Sequence, residues 1–110
     1  MKSRVLLVDD DVRVVQKVGQ FLKLSGHEVV TADSGEAALS LLKAEDCDVV
    51  LLDQHMPGKY DGMATLQHIA AEHTTIPVIM MTGEKAVPFI ISAIKAGAFH
   101  YLPKPFEFDE

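Results

Sequence analysis

Short apolar runs alternate with segments of helical spacing along this chain. The apolar runs lie at residues 5–8, 28–32, 49–52, 78–81 and 98–102. Three of them are continuously apolar rather than alternating, which is the pattern of strands that are buried on both faces. The chain is therefore expected to form five strands, of which at least three are covered on both sides.

Helical spacing between the runs predicts four helices. In each of them apolar residues recur every three or four positions, as on the buried face of a helix. Ser34 is a helix cap and Gly26 and Gly97 are stop signals. The third helix is expected over residues 61–72, and the fourth takes Pro88 in its first turn. The expected core positions of the four helices are Val15, Val18 and Leu22; Ala37, Ala38, Leu41 and Leu42; Leu66, Ile69 and Ala70; and Ile90, Ala93 and Ile94.

The regular alternation of strand and helix predicts an α/β fold with a parallel sheet covered on both faces. Crossovers in such sheets are right-handed, and the doubly wound strand order 2-1-3-4-5 suits five strands in 110 residues. Residues 1–110 are expected to be a single domain. The chain stops at residues 106–110, just where a fifth helix should begin, so the final helix is expected to be missing or truncated.

Composition and charge narrow the classes of function. A hydrophobic share of 48% suits one buried core. The apolar runs are far shorter than the roughly 20 residues that span a bilayer, and no secretory signal is recognised, so a cytoplasmic protein is expected. Cys47 is the only cysteine, which rules out a disulfide within the chain. A net charge of −6 with scattered basic residues argues against direct binding of nucleic acid.

Polar side chains follow four of the five predicted strands. Asp9 and Asp10 come after the first, Asp53 after the third and Thr82 after the fourth, and the fifth leads to Lys104. Ligands of open parallel sheets bind beyond the carboxyl ends of the strands, where the strand order reverses. In the order 2-1-3 that point lies between the first and third strands, so these five side chains are expected to converge there.

Three carboxylates at one point need a counter-charge. Two of them about 4 Å apart repel by roughly 4 kcal/mol at an effective dielectric near 20. Either protons or a cation must therefore be taken up, and an all-oxygen set of ligands suits Mg²⁺ better than zinc. A hydroxyl and a lysine beside such an ion are typical of a site that handles phosphoryl groups, where a carboxylate can attack phosphorus.

At these positions the sequence resembles the receiver domains of bacterial response regulators, the CheY-like domains of two-component systems. The resemblance covers essentially the whole chain, and residues 93–106 are also similar to receivers of nitrogen-regulator-type transcription activators. It is carried by an ordered set of short motifs: Val8-Asp9-Asp10, Leu52-Asp53, Met56-Pro57, Asp61-Gly62, Met81-Thr82-Gly83, Ala96-Gly97-Ala98 and Tyr101-Leu102-Pro103-Lys104-Pro105-Phe106.

The resemblance implies a role for each of the acids. Asp53 matches the residue that accepts a phosphoryl group from a histidine kinase or a phosphotransfer protein. Asp10 and Asp53 would bind Mg²⁺ directly, together with the backbone carbonyl of His55, and Asp9 would act through a water molecule.

The same resemblance assigns the switch. Lys104 would pair with the acceptor and then with a phosphoryl oxygen. Thr82 would donate its hydroxyl to the phosphoryl group, and Tyr101 would turn inward as Thr82 moves. His55 and Glu84 lie where the family tunes the loss of the phosphoryl group.

The implied protein is a regulatory domain rather than an enzyme, although it would promote its own phosphorylation and dephosphorylation. An output domain beyond residue 110 is expected, with transcription regulation as one output, and the family also allows a homodimer. One departure is a loop at residues 57–61 that is one residue longer than usual, next to His55.

Two alternatives remain open. Residues 5–12 match the opening motif of haloacid-dehalogenase-like phosphatases, with Asp9 as nucleophile and Asp11 as acid; otherwise Asp11 is expected to cap the first helix. That family also needs a later acidic metal motif and usually a cap domain, neither of which is recognised here. The second alternative is a degenerate receiver that acts only as a docking module, but such domains usually lack the acceptor, one of the acidic pair or the lysine.

Overall fold

Strands and helices alternate along the whole described part of the chain. The computed structural model describes residues 3–54, 56, 61–73, 75–82 and 87–103. Within these residues the elements are β1 Arg4–Val8, α1 Val12–Leu24, β2 Glu28–Ala32, α2 Gly35–Ala44, β3 Val49–Asp53, α3 Gly62–Glu72, β4 Val78–Thr82, α4 Val87–Lys95 and β5 His100–Pro103.

The five strands form one parallel sheet in the order β2-β1-β3-β4-β5. This order confirms the predicted doubly wound fold. In the register, Val8 of β1 lies opposite Ala32 of β2 on one side and Leu52 of β3 on the other. The carboxyl ends of β1 and β3 are therefore side by side at the centre of the sheet.

Buried side chains form a cluster on each face of the sheet. Leu6 and Leu52, which are both fully buried, lie on the face covered by α2, α3 and α4. Leu7 and Leu51 lie on the opposite face, against α1. Because successive strand residues point to opposite faces, both kinds of position must be apolar, which explains the continuous runs in the sequence. Each fully buried leucine contributes roughly 1.5–3 kcal/mol to stability.

Side-chain caps and glycines set the helix ends. Ser34 accepts a hydrogen bond from the Ala37 amide at 3.1 Å, as predicted for a cap. Asp11 and Asp61 cap α1 and α3 in the same way. Such caps are each worth about 1 kcal/mol. Gly26 and Gly97 have φ angles of +96° and +119°, a left-handed conformation that ends a helix readily only at glycine.

The predicted inner face of α4 was partly wrong. Ala93 is fully buried as expected and Ala96 packs against the core, but Ile94 is 46% exposed. Ala93 therefore marks the side of α4 that meets the sheet, and Ala96 packs against the same core just after the helix ends. Ile94 lies about 100° around the helix from Ala93 and therefore points away from that contact.

The edge of the sheet where the strands begin is held by an arginine. The Arg4 guanidinium lies 3.1 Å from the Glu28 carboxylate and 3.4 Å from that of Glu45, and the Arg4 amide donates to Asp48 at 2.7 Å. The hydrogen bond to Glu28 raises the pKa of Arg4. Cys47 is buried nearby, and burial raises the pKa of its thiol, although Arg4 acts in the opposite direction.

Two further expectations concern the chain as a whole. Among the described residues, none of the helices combines the length and the apolar character needed to cross a membrane. The prediction that the final helix is missing or truncated falls on residues 104–110, which lie outside the described residues.

Candidate functional site

Backbone pairing brings the acidic residues together. The Asp9 amide donates to the Ala32 carbonyl at 3.1 Å, so the β1–β2 ladder continues one residue past the end of β1. Asp53 is the last residue of β3, and Val8 is aligned with Leu52. Asp9 and Asp53 are consequently neighbours across the central pair of strands, as the sequence predicted.

The three acids lie close enough to share one ion. Carboxylate oxygens of Asp9, Asp10 and Asp53 all lie within 4.8 Å of one another. Asp9 and Asp53 are 1% and 3% exposed, whereas Asp10 is exposed to solvent. The site thus has two buried acids at its base and one at its mouth.

A local hydrogen bond fixes the orientation of Asp9. Its Oδ1 accepts from the Asp11 amide at 2.9 Å, and Asp11 in turn accepts from the Arg13 amide at 2.9 Å to cap α1. The connection between β1 and α1 is therefore built on two side-chain hydrogen bonds, in each of which an aspartate accepts from the amide two residues further on. One oxygen of Asp9 is committed to this turn, so this carboxylate is held in place before any ligand arrives.

The donor set fits a small hard cation. Two carboxylates at the outer separation of 4.8 Å still repel by about 3.5 kcal/mol at an effective dielectric of about 20. Oxygen atoms are the preferred ligands of Mg²⁺, which keeps several water molecules and needs only one or two carboxylates. Zinc sites would call for histidine or cysteine, and within the described residues neither belongs to this cluster.

The site is open on the side of β2. A cleft of about 410 Å³ runs from Asp9 and Asp10 past Val12 to Thr31 and Asp33. It lies beyond the carboxyl ends of β1 and β2, next to the point between β1 and β3 where the strand order reverses and ligands of open parallel sheets bind. A ligand at the acids could therefore approach from this direction.

The structure describes only some of the other predicted site residues. Thr82 ends β4, one residue after Met81, which pairs with Asp53. Tyr101 lies on β5 opposite Met80 and packs, partly buried, against the core on the side of α2, α3 and α4. Lys104, His55 and Glu84 lie outside the described residues, as do residues 57–60 of the loop that was expected to be longer than usual.

Two features of the site were missed by sequence reasoning. The hydrogen bond from the Asp11 amide to Asp9 was not anticipated, although an aspartate two residues before a helix cap is a common signal for such a turn. The second is the close approach of Gly62 to the backbone of Asp53 and Gln54. The signal for it was a glycine directly after the capping residue Asp61.

The chain is similar over its whole length to one family of signalling domains. The family described as response regulator receiver domain matches residues 5–110. The response regulator protein FleR of Pseudomonas aeruginosa is 42% identical over 97% of this chain and 22% of its own length. The DNA-binding transcriptional regulator NtrC of Klebsiella pneumoniae is 40% identical over 94% of this chain and 22% of its own length. The chain therefore spans about a fifth of the length of these curated relatives.

Solved structures show the same likeness. NtrX from Brucella abortus superimposes with a TM-score of 0.91 at 34% identity, covering 97% of this chain and 25% of that protein. The chemotaxis protein CheY4 from Vibrio cholerae gives a TM-score of 0.91 at 29% identity and covers 97% of this chain and 90% of the other.

Proposed function

This chain belongs to the response regulator receiver domain family, and on that premise we propose that it is a phosphorylation-controlled switch with Asp53 as the phosphoryl acceptor. The observation that carries the proposal is the convergence of Asp9, Asp10 and Asp53 within 4.8 Å at the centre of the sheet edge. Asp53 alone of the three ends a central strand and is buried on a segment paired with β4.

The proposed reaction is a phosphoryl transfer to a carboxylate. An Asp53 oxygen attacks the phosphorus of a phosphohistidine on a sensor kinase or a phosphotransfer protein. A P–O bond forms, the P–N bond breaks, and the departing imidazole nitrogen keeps the electron pair and takes up a proton. The product is an acyl phosphate, which water later hydrolyses to inorganic phosphate and the free carboxylate.

Mg²⁺ is the cofactor proposed for this reaction. Asp10, Asp53 and the backbone carbonyl of His55 would hold the ion directly, and Asp9 would hold it through water. An ion held there would neutralise negative charge on phosphoryl oxygens. The hydrogen bond from the Asp11 amide to Asp9 supports the indirect role of Asp9, because one of its oxygens is already engaged.

The switch is proposed to read the new charge on Asp53. A phosphoryl group brings up to about two negative charges and three acceptor oxygens. Lys104 would pair with it, Thr82 would donate its hydroxyl, and Tyr101 would turn inward from its partly buried position. Shifting a two-state domain from 1:99 to 99:1 takes about 5.5 kcal/mol of differential interaction. His55 and Glu84 would then set how quickly the signal is lost.

The whole protein is proposed to be larger than this domain. The chain would be the N-terminal receiver of a regulator in the cytoplasm, with an output domain beyond residue 110 that acts on transcription; the relative NtrC is itself a DNA-binding transcriptional regulator. A sensor kinase or a phosphotransfer protein would be its upstream partner, and the chain would be able to form a homodimer. The receiver itself would not bind nucleic acid, given its net charge of −6.

The decisive experiment measures where the phosphoryl group goes. The chain is treated with acetyl phosphate and Mg²⁺, and its intact mass is recorded for wild type, Asp53→Asn and Asp9→Asn. We expect one added phosphoryl group in wild type and none in Asp53→Asn, while Asp9→Asn is labelled more slowly.

The alternatives predict different results. A haloacid-dehalogenase-like phosphatase would lose its label in Asp9→Asn and keep it in Asp53→Asn. A degenerate receiver would show no label, and no Mg²⁺-dependent change with beryllofluoride in any variant. Either result would contradict the proposal.

A further inference from the structure

We infer that Gly62 is a positioning residue that seats the end of the acceptor strand against α3, so that Asp53 lies at the correct distance from the other two acids. This inference rests on the proposed function. It assigns to Gly62 a role in the geometry of the site, beyond its place at the start of a helix.

The contact between Gly62 and the acceptor segment leaves no room for a side chain. The Gly62 amide donates to the Gln54 carbonyl at 2.9 Å. A Cβ atom on Gly62 would lie 2.5 Å from the Gln54 Cα and 2.8 Å from the Gln54 Oε1, and it would also meet the Asp53 carbonyl oxygen. Two of these three atoms belong to the backbone, so they cannot turn aside as a flexible side chain could.

The acceptor segment is also held from its other side. The Gln54 amide donates to the Met81 carbonyl at 3.1 Å, which continues the ladder between β3 and β4. The segment of Asp53 and Gln54 is therefore clamped between β4 and the first residue of α3. Any atom added at Gly62 must move the strand end, the helix or both.

The helix cannot take up the whole displacement. Asp61 accepts from the Ala64 amide at 2.9 Å, and the Thr65 hydroxyl donates to the Asp61 carbonyl at 2.8 Å. Thr65, Leu66 and Ile69 are fully buried on the same helix. Close-packed cores resist such movement, so part of the shift must fall on the acceptor strand.

The size of the shift matters for a metal site. Real Cβ contacts essentially never fall below 3.0 Å and become ordinary at 3.4 Å, so a separation of 2.5 Å must open by about 0.5 to 0.9 Å. Mg²⁺ requires near-octahedral ligands at about 2.0–2.1 Å. Changing a residue that only supports the ligands of a metal ion typically costs about 10–100-fold in metal affinity, so a shift of this size is expected to cost roughly tenfold.

Two other glycines provide matched controls. Gly97 has φ +119°, and a Cβ there would lie 2.8 Å from the Ala70 Cβ, so Gly97→Ala is strained at the opposite edge of the sheet, away from the acids. Gly19 lies within α1, and a Cβ there would meet Leu7 and Val29 at 3.9 and 4.0 Å, which are ordinary contacts.

The test compares Gly62→Ala, Gly97→Ala and Gly19→Ala in the whole chain. The measurements are the melting temperature by circular dichroism and the Kd for Mg²⁺ alone by titration calorimetry, at a temperature where each variant is folded. We expect Gly62→Ala and Gly97→Ala both to melt lower than wild type. Only Gly62→Ala should bind Mg²⁺ more weakly, by roughly tenfold, whereas the two controls should stay within about twofold of wild type.

The outcomes separate this inference from the proposed function. If Gly62→Ala binds Mg²⁺ as tightly as wild type does, the positioning role is overturned while the proposed function stands. The same holds if Gly97→Ala loses as much Mg²⁺ affinity as Gly62→Ala. A wild type that neither binds Mg²⁺ nor takes up phosphoryl groups overturns both. If Gly62→Ala does not fold, the same comparison is made in a Gly19→Ala background with sucrose, which favours the compact state.

Discussion

Removing one charge from the acidic cluster should make the metal-free protein more stable. Asp10 is the member of the cluster that is exposed, and at separations up to 4.8 Å it repels each of Asp9 and Asp53 by about 3.5 kcal/mol at an effective dielectric of about 20. Solvent screening at an exposed group reduces such energies several-fold. We therefore expect Asp10→Asn to raise the free energy of unfolding by about 1 kcal/mol, which is about 4 °C in melting temperature.

In the presence of Mg²⁺, wild type should instead be more stable than Asp10→Asn. At 100 times its Kd, a ligand stabilises the folded wild type by about 2.7 kcal/mol. A hundredfold weaker affinity, expected when a ligand to the ion is lost, leaves only about 0.4 kcal/mol at the same concentration. With Mg²⁺ present, the free energy of unfolding of wild type should therefore be about 1 kcal/mol higher than that of Asp10→Asn.

The assay is urea unfolding with EDTA and with saturating Mg²⁺. The chain has no tryptophan, so circular dichroism is the appropriate signal. Asp33→Asn is the matched control, because Asp33 lines the same cleft but does not belong to the cluster of three acids. The reasoning fails if Asp10→Asn is destabilised in EDTA, or if Mg²⁺ stabilises it as strongly as it stabilises wild type.

Three further predictions concern the rest of the fold. Arg4→Met removes the solvent-exposed ion pairs to Glu28 and Glu45 and should lower the urea unfolding midpoint only slightly, and this small loss should shrink further in high salt. Leu52→Ala empties a fully buried position and should cost about 2–5 kcal/mol in the same assay. Burial raises the pKa of the Cys47 thiol, so its contribution to stability is complete below the pKa of the unfolded thiol and is lost as the pH rises through the folded value. Wild type should therefore lose stability at alkaline pH more steeply than Cys47→Ser, and equal slopes would contradict this.

The strand pattern was enough to predict most of the fold and the meeting of the acids. Continuous apolar runs are typical of strands in a sheet that is covered on both faces, and parallel strands carry their carboxyl ends to one edge. Asp9 and Asp53, which are separated by more than forty residues in the sequence, could be placed together on that basis.

The sequence was a poorer guide where the outcome depended on how closely two elements approach. Ile94 has the right spacing for a buried position, but α4 meets the sheet at Ala93, and Ile94 is left 46% exposed. Gly62 was read only as part of a motif, because its tight contact with Gln54 depends on the distance between a strand end and a helix. The periodicity of a sequence indicates which face of a single helix or strand is buried. It does not give the distance between two packed elements.

The turn that joins β1 to α1 gives the acidic site a built-in spectroscopic reporter. The Asp11 amide donates a hydrogen bond to the Asp9 carboxylate at 2.9 Å, and Asp11 is also the residue that caps the start of α1. In a nitrogen–proton correlation spectrum this one resonance should move when the charge around Asp9 changes, and its exchange with solvent should be slow. The binding of a cation at the carboxyl ends of the strands could thus be followed through one backbone amide, that of the residue that caps α1.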